Sequence, residues 1–213
     1  MAKKVNISAN APFLASVYLL LAVQMSITAL VVTWLRGRPD IYEKVKKYFW
    51  AWFLLSLVLI IALSFFPDIP MLFKLLLFTA FSVTMGLTSI AASTRISIDV
   101  IKVAIFSTIG VFIAMTVIGF VLTSMGIDLS FMSLALLLAL VAVVIASIVM
   151  MFVKVDKTIY KAFVILIIVI FSIFIAYDTN LMLQRKLGVV DSALGLYLDM
   201  LNLFSSFTAL GNE

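Results

Sequence analysis

The chain has 213 residues, of which 65% are hydrophobic and only 12% charged, with a net charge of +5. A soluble domain is nearer half apolar and a quarter charged, and one of this size cannot hide such an excess in a single core, so lipid must be its main solvent. Cysteine and histidine are both absent, which excludes disulfides and thiolate chemistry and removes the side chain that usually titrates near neutral pH.

Seven apolar runs follow one another, each close to the ~20 residues that a helix needs to cross a bilayer core. They cover residues 11–35, 48–66, 75–94, 103–125, 129–153, 162–183 and 192–210. The first follows Lys3 and Lys4, as a signal peptide would, but its uncharged stretch Ala11–Leu35 exceeds a signal's apolar region, so a retained helix is expected. The connections are short, the longest being Arg36–Lys47. Asp128 before Leu129 and Ser130 reads as a helix N-cap, and Gly188 after Arg185 and Lys186 reads as a helix C-terminus. The pattern predicts an all-α, polytopic membrane protein, a seven-transmembrane-helix bundle forming one domain over residues 1–213 and acting as a monomer.

The lysines and arginines lie between the runs, where they suit anionic headgroups, so membrane lipids are the first partners. No soluble stretch could hold the basic, aromatic-interleaved face that nucleic acid requires. With seven crossings, Lys3, Lys4, Lys74, Arg185 and Lys186 share one side and the other ten cations share the opposite one. The positive-inside rule then puts the N-terminus outside.

Eight of the ten acidic residues fall in loops, ends or caps, but Asp178 and Asp199 lie within apolar runs. A carboxylate at the bilayer centre costs roughly 2.5–3.5 kcal/mol by insertion scales, and such residues face a protein interior or a water-filled cavity. With a hairpin turning near Gly188, both carboxylates fall ~15 Å from the turn, at matching depth. Asn202 and Ser206 follow Asp199 at i+3 and i+7, so one face of the last helix is a polar stripe that must look inward, and Tyr177 adjoins it beside Asp178. Two carboxylates held close cannot both stay ionised and titrate in coupled steps, which gives a pH sensor without histidine. Deprotonated, the pair attracts a hard, oxygen-seeking divalent cation.

The stretches Ile175-Ala-Tyr-Asp178-Thr-Asn180 and Leu196-Tyr-Leu-Asp199-Met-Leu-Asn202-Leu-Phe204 resemble the Bax inhibitor-1, or transmembrane Bax inhibitor motif, family. Met85-Gly-Leu-Thr88 and Gly126-Ile-Asp-Leu-Ser-Phe131 extend the resemblance, which covers the third to seventh runs in order. It implies a seven-helix fold with a central last helix and a cytosolic N-terminus, the orientation we adopt. It also implies a pH-sensitive calcium leak and, in eukaryotic members, suppression of cell death through regulatory protein partners. The family's paired-aspartate sensor maps onto Asp178 and Asp199, which would touch Ca²⁺ transiently; Ca²⁺ and protons are then the small partners, Ca²⁺ the permeant ion, and no cofactor is expected. The membrane would be the plasma membrane in a bacterium and the endoplasmic reticulum or Golgi in a eukaryotic or viral setting. Two departures stand out. Bacterial relatives carry a basic cluster after the second helix, where this chain reads Phe66-Pro-Asp68-Ile-Pro70 with only Lys74 nearby, and the lysines that the family often places before Asp-Leu-Ser-Phe are absent.

Two other functions share parts of this pattern. Intramembrane aspartyl proteases also have a Tyr-Asp in the sixth helix, but they need Gly-x-Gly-Asp in the seventh, where this chain has Gly195-Leu-Tyr-Leu-Asp199; an enzyme is not expected. A Ca²⁺/H⁺ exchanger could use the same carboxylates, although no internal repeat favours one. A non-conducting protein that binds cell-death regulators is the third possibility.

Overall fold

Each apolar run becomes a helix, and several helices begin about a turn before the run does. In the computed structural model, which describes residues 10–66, 69–93, 96–184 and 187–212, the helices are α1 (Ala11–Arg36), α2 (Pro39–Lys47), α3 (Phe49–Phe65), α4 (Met71–Ser93), α5 (Ile98–Ser124), α6 (Ser133–Phe152), α7 (Lys157–Leu183) and α8 (Val189–Gly211). Lys3, Lys4, Asp68, Arg95, Arg185 and Lys186 lie outside the described residues. Every regular element among the described residues is helical, so the fold is all-α. Lys74, Lys102 and Lys161, which bound the uncharged runs, sit inside α4, α5 and α7. A long cationic side chain near a helix end can carry its charge to the interface while its backbone stays helical.

Six helices are long and apolar enough to cross a membrane: α1, α4, α5, α6 with its leading 3-10 turn, α7 and α8. The 17-residue α3 is uncharged; at 1.5 Å per residue it covers about 25 Å, slightly less than a bilayer core. It meets α2 at a 69° bend. The Arg36–Lys47 stretch, which reads in the sequence as a connection, is therefore mostly helical. Pro39 opens α2 with a φ already suited to a helix, and Val45 is buried with Leu35 beneath Ile41, Tyr42 and Trp52.

Contacts divide the chain into two compact units. Ala15–Ile96 and Val189–Tyr197 form one. In it α3 packs on α4, and a Cβ on Gly86 would meet the Val31 Cβ at 2.7 Å, so α1 and α4 touch closely there. Buried polar groups join the same helices: the Thr28 Oγ1 meets the Tyr197 hydroxyl at 2.6 Å and donates to the Ser82 carbonyl at 2.9 Å. The Tyr197 ring stands edge-on to Phe78, with centroids 5.3 Å apart.

The other unit comprises Met1–Leu14, Ser97–Gly188 and Leu198–Glu213, and in it α5 packs along α7. Its helix starts are capped by side chains: Ser97 accepts from the Val100 N–H, Asp128 from the Ser130 N–H at 2.9 Å, and Asp156 from the Thr158 N–H at 2.8 Å. The Thr158 amide holds the Asp156 carboxyl below its usual range. Asp128 is thus the N-cap that the sequence indicates, serving the 3-10 turn Leu129–Met132. The end of α5 is a Schellman turn: Gly126 has φ 80°, its N–H bonds the Thr123 carbonyl, and the Ile127 N–H bonds the Leu122 carbonyl. Gly188 corrects its sequence reading. With φ −74° it is the N-cap of α8, while α7 has already ended at Leu183.

Candidate functional site

The two carboxylates arise on α7 and α8, within the unit built around α5 and α7. The connection 184–188 sets their register. Asp178 lies five residues before the end of α7, and Asp199 ten residues after the start of α8, so their distances to the helix ends differ although their distances to Gly188 nearly match. Both belong to the same compact unit. Asp178 is partly buried. Asp199 is 3% exposed, and its Oδ2 has no hydrogen-bond partner among the described residues. A buried carboxyl oxygen left without a partner is costly, and such a group calls for a reason beyond stability.

The rest of the polar stripe is less uniform than its spacing implies. Asn202 is partly buried and donates within its own helix to the Leu198 carbonyl at 2.8 Å. Ser206 is buried. Tyr177 packs its ring edge-on to Phe174 and is only partly buried. Half of the most apolar stretch of α8 is buried, against 11% for that of α5.

Two residues beyond Asp178, α7 carries a buried amide that ties it to its neighbours. Asn180, fully buried one half-turn further along α7, uses all its amide capacity. Its Nδ2 donates to the Thr123 Oγ1 and the Ile127 carbonyl, both at 2.8 Å. Its Oδ1 accepts from the Leu129 N–H at 2.9 Å and the Gln184 Nε2 at 2.8 Å. One side chain thereby joins α7 to the end of α5 and to the loop that carries Asp128. The signal was present as an amide in an apolar helix, which must find partners when buried. A second constraint is Gly119 on α5, where a Cβ would lie 2.7 Å from the Ala176 carbonyl oxygen and 2.8 Å from the Thr179 Cβ. Small residues of this kind let membrane helices approach closely.

Lys74 does not join the carboxyl pair. It is buried and bonds Asp191 at the start of α8 through both carboxyl oxygens, at 3.0 and 3.3 Å, within the other unit. Among the described residues no group of three or more acidic, cysteine or histidine side chains forms a metal cage.

The chain is thus an integral, multi-pass membrane protein by the length and hydropathy of its helices. No curated relative matches it closely enough to add a more specific likeness. The family described as inhibitor of apoptosis-promoting Bax1 matches residues 10–210, nearly the whole length over which these helices run, and the chain belongs to that family.

Proposed function

We propose that the chain is a pH-sensitive calcium leak channel in which Asp178 and Asp199 share a proton and gate the passage of Ca²⁺. The observation that carries this reading is the partnerless Oδ2 of the buried Asp199, a carboxyl oxygen inside an apolar helix, with the second such carboxylate, Asp178, in the same compact unit. Family membership supports it. Protonated, the pair can share a hydrogen bond that holds α7 to α8; deprotonated, it repels itself and offers oxygen to a hard cation. Two carboxylates supply fewer oxygens than the six to eight that a resident Ca²⁺ takes, which suits an ion in transit. Asn202, Ser206 and Tyr177 continue the polar route, and no step of this mechanism is enzymatic. The chain works as a monomer at the plasma membrane of a bacterium, or at the endoplasmic reticulum or Golgi in a eukaryotic or viral setting, where it modulates calcium stores and, through regulatory partners, cell death.

Purified protein in liposomes loaded with a calcium dye tests the proposal. Calcium entry without a proton gradient, varying with pH, is the expected result. Entry that requires a proton gradient identifies an exchanger, and absence of entry leaves the non-conducting interaction role; either outcome overturns the leak.

A further inference from the structure

We infer that α2 and its flanks form a docking surface for the headgroups of anionic phospholipids. Five of the nine residues of α2 are charged, so at roughly 2.5–3.5 kcal/mol for each charge at a bilayer centre this helix cannot lie in hydrocarbon. It also leaves the direction of α3 by 69°. Its apolar face is already committed, with Val45 buried against Leu35. At about 100° per residue, Lys44 and Lys46 fall on opposite flanks of that face, while Lys47 lies on its far side with Asp40 and Glu43. With the apolar face packed on the protein and the charged sides barred from hydrocarbon, the cations of α2 are left at headgroup level. Among the described residues Arg38, Lys44, Lys46 and Lys47 form no salt bridge, and all four are exposed.

The aromatic residues give an independent indication. All three tryptophans of the chain, Trp34, Trp50 and Trp52, lie in the 19 residues that bracket α2. Trp34, Tyr48 and Trp50 are exposed, as expected of side chains at a membrane–water interface. Three of the free cations rest over rings here: Arg38 over Trp34 at 4.1 Å, Lys46 over Tyr42 at 5.9 Å and Lys47 over Tyr48 at 5.7 Å. A row of cations stacked on interfacial aromatics presents N–H donors without internal carboxylate partners, and lipid phosphate supplies the missing acceptors.

The tryptophans make the test direct, because they report from this surface alone. Full-length protein in neutral detergent is titrated with phosphatidylglycerol or phosphatidylcholine carrying brominated acyl chains, and tryptophan quenching is followed. Half-quenching should occur at a several-fold lower mole fraction of phosphatidylglycerol. The preference should fall by up to roughly fivefold per cation neutralised in R38Q/K44Q/K46Q/K47Q; should that variant fail to fold by circular dichroism, K44Q/K46Q carries the test. K154Q/K157Q/K161Q, which removes charge elsewhere, should keep the preference. Equal quenching by the two lipids overturns the inference, as does a loss of preference in the distant triple variant. Displacement of phosphatidylglycerol by millimolar inorganic phosphate also overturns it, since the surface would then bind a free anion.

Discussion

Lys74 and Asp191 join the first turn of α4 to the first turn of α8, with the ammonium 3.0 Å from one carboxyl oxygen and 3.3 Å from the other. The lysine side chain is 10% exposed and the aspartate 38%, so solvent screens one partner and the pair falls between a surface bridge and a buried one. Removing Asp191 leaves a buried ammonium without its acceptor. Asp191→Ala should therefore destabilise the chain by about 1–2 kcal/mol, read as denaturation in detergent. A double-mutant cycle with Lys74→Met should recover part of that loss; strict additivity of the two changes would mean that the residues do not interact.

Much of this fold was legible because a bilayer imposes one demand: about 20 apolar residues per crossing. That demand located all seven runs and exposed Asp178 and Asp199 as exceptions. It could not locate the helix starts around Lys74, Lys102 and Lys161, because a charge interrupts hydropathy without interrupting backbone hydrogen bonds. It also missed α2, whose pattern is amphipathic rather than apolar. Glycine was ambiguous for a local reason: Gly126 ends a helix with positive φ, whereas Gly188 begins one with ordinary φ, and composition alone does not separate the two. Lys74 was nearest in sequence to the family's missing basic cluster, yet Asp191 holds it. Only the three-dimensional register could decide that.

Asn180 holds four hydrogen bonds at once, and its loss strands backbone groups at Ile127 and Leu129. Each stranded buried group costs about 1–3 kcal/mol. Asn180→Leu, which keeps apolar bulk, should lower stability by roughly 3 kcal/mol and loosen the α5–α6 loop, seen as faster hydrogen exchange at the Leu129 amide. Unchanged exchange at Leu129 would show that the amide does not anchor the loop.

Two glycines of α5 should respond in opposite ways to alanine. At Gly119 the new Cβ meets the backbone oxygen of Ala176 at 2.7 Å, which cannot move without shifting α7. At Gly110 nothing lies within 4 Å. Gly119→Ala should cost about 1–3 kcal/mol as overpacking, whereas Gly110→Ala should be neutral or stabilising by up to ~1 kcal/mol through higher helix propensity. Equal effects at the two positions would refute the close α5–α7 contact.

Family likeness and charge predict opposite orientations, and we predict the family's. The family orientation places the N-terminus in the cytosol, with α2 across the first crossing from it and the C-terminus on the far side after seven crossings. Protease protection of terminal tags in sealed vesicles should show the N-terminal tag open to the cytosol and the C-terminal tag protected. The reverse pattern would return the decision to the positive-inside count.

The decisive prediction concerns the proton shared between α7 and α8. Asp178→Asn preserves shape and removes one charge, so Asp199 keeps its buried position but loses the repulsion on which the proposed sensor depends. Asp199→Asn should act alike from the other side, and the double variant should add little to either, because a shared proton makes the two residues one unit. In liposomes the pH dependence of calcium entry should flatten in all three variants. Thermal stability separates gating from misfolding: an amide has the shape of the carboxyl group it replaces and should leave the fold intact, so a flattened profile in a stable protein reports the sensor itself. A single variant that retains the wild-type profile would remove that residue from the sensor. Effects that simply add would show two carboxylates titrating separately, and the proton-sharing gate would then be wrong even if calcium still flowed.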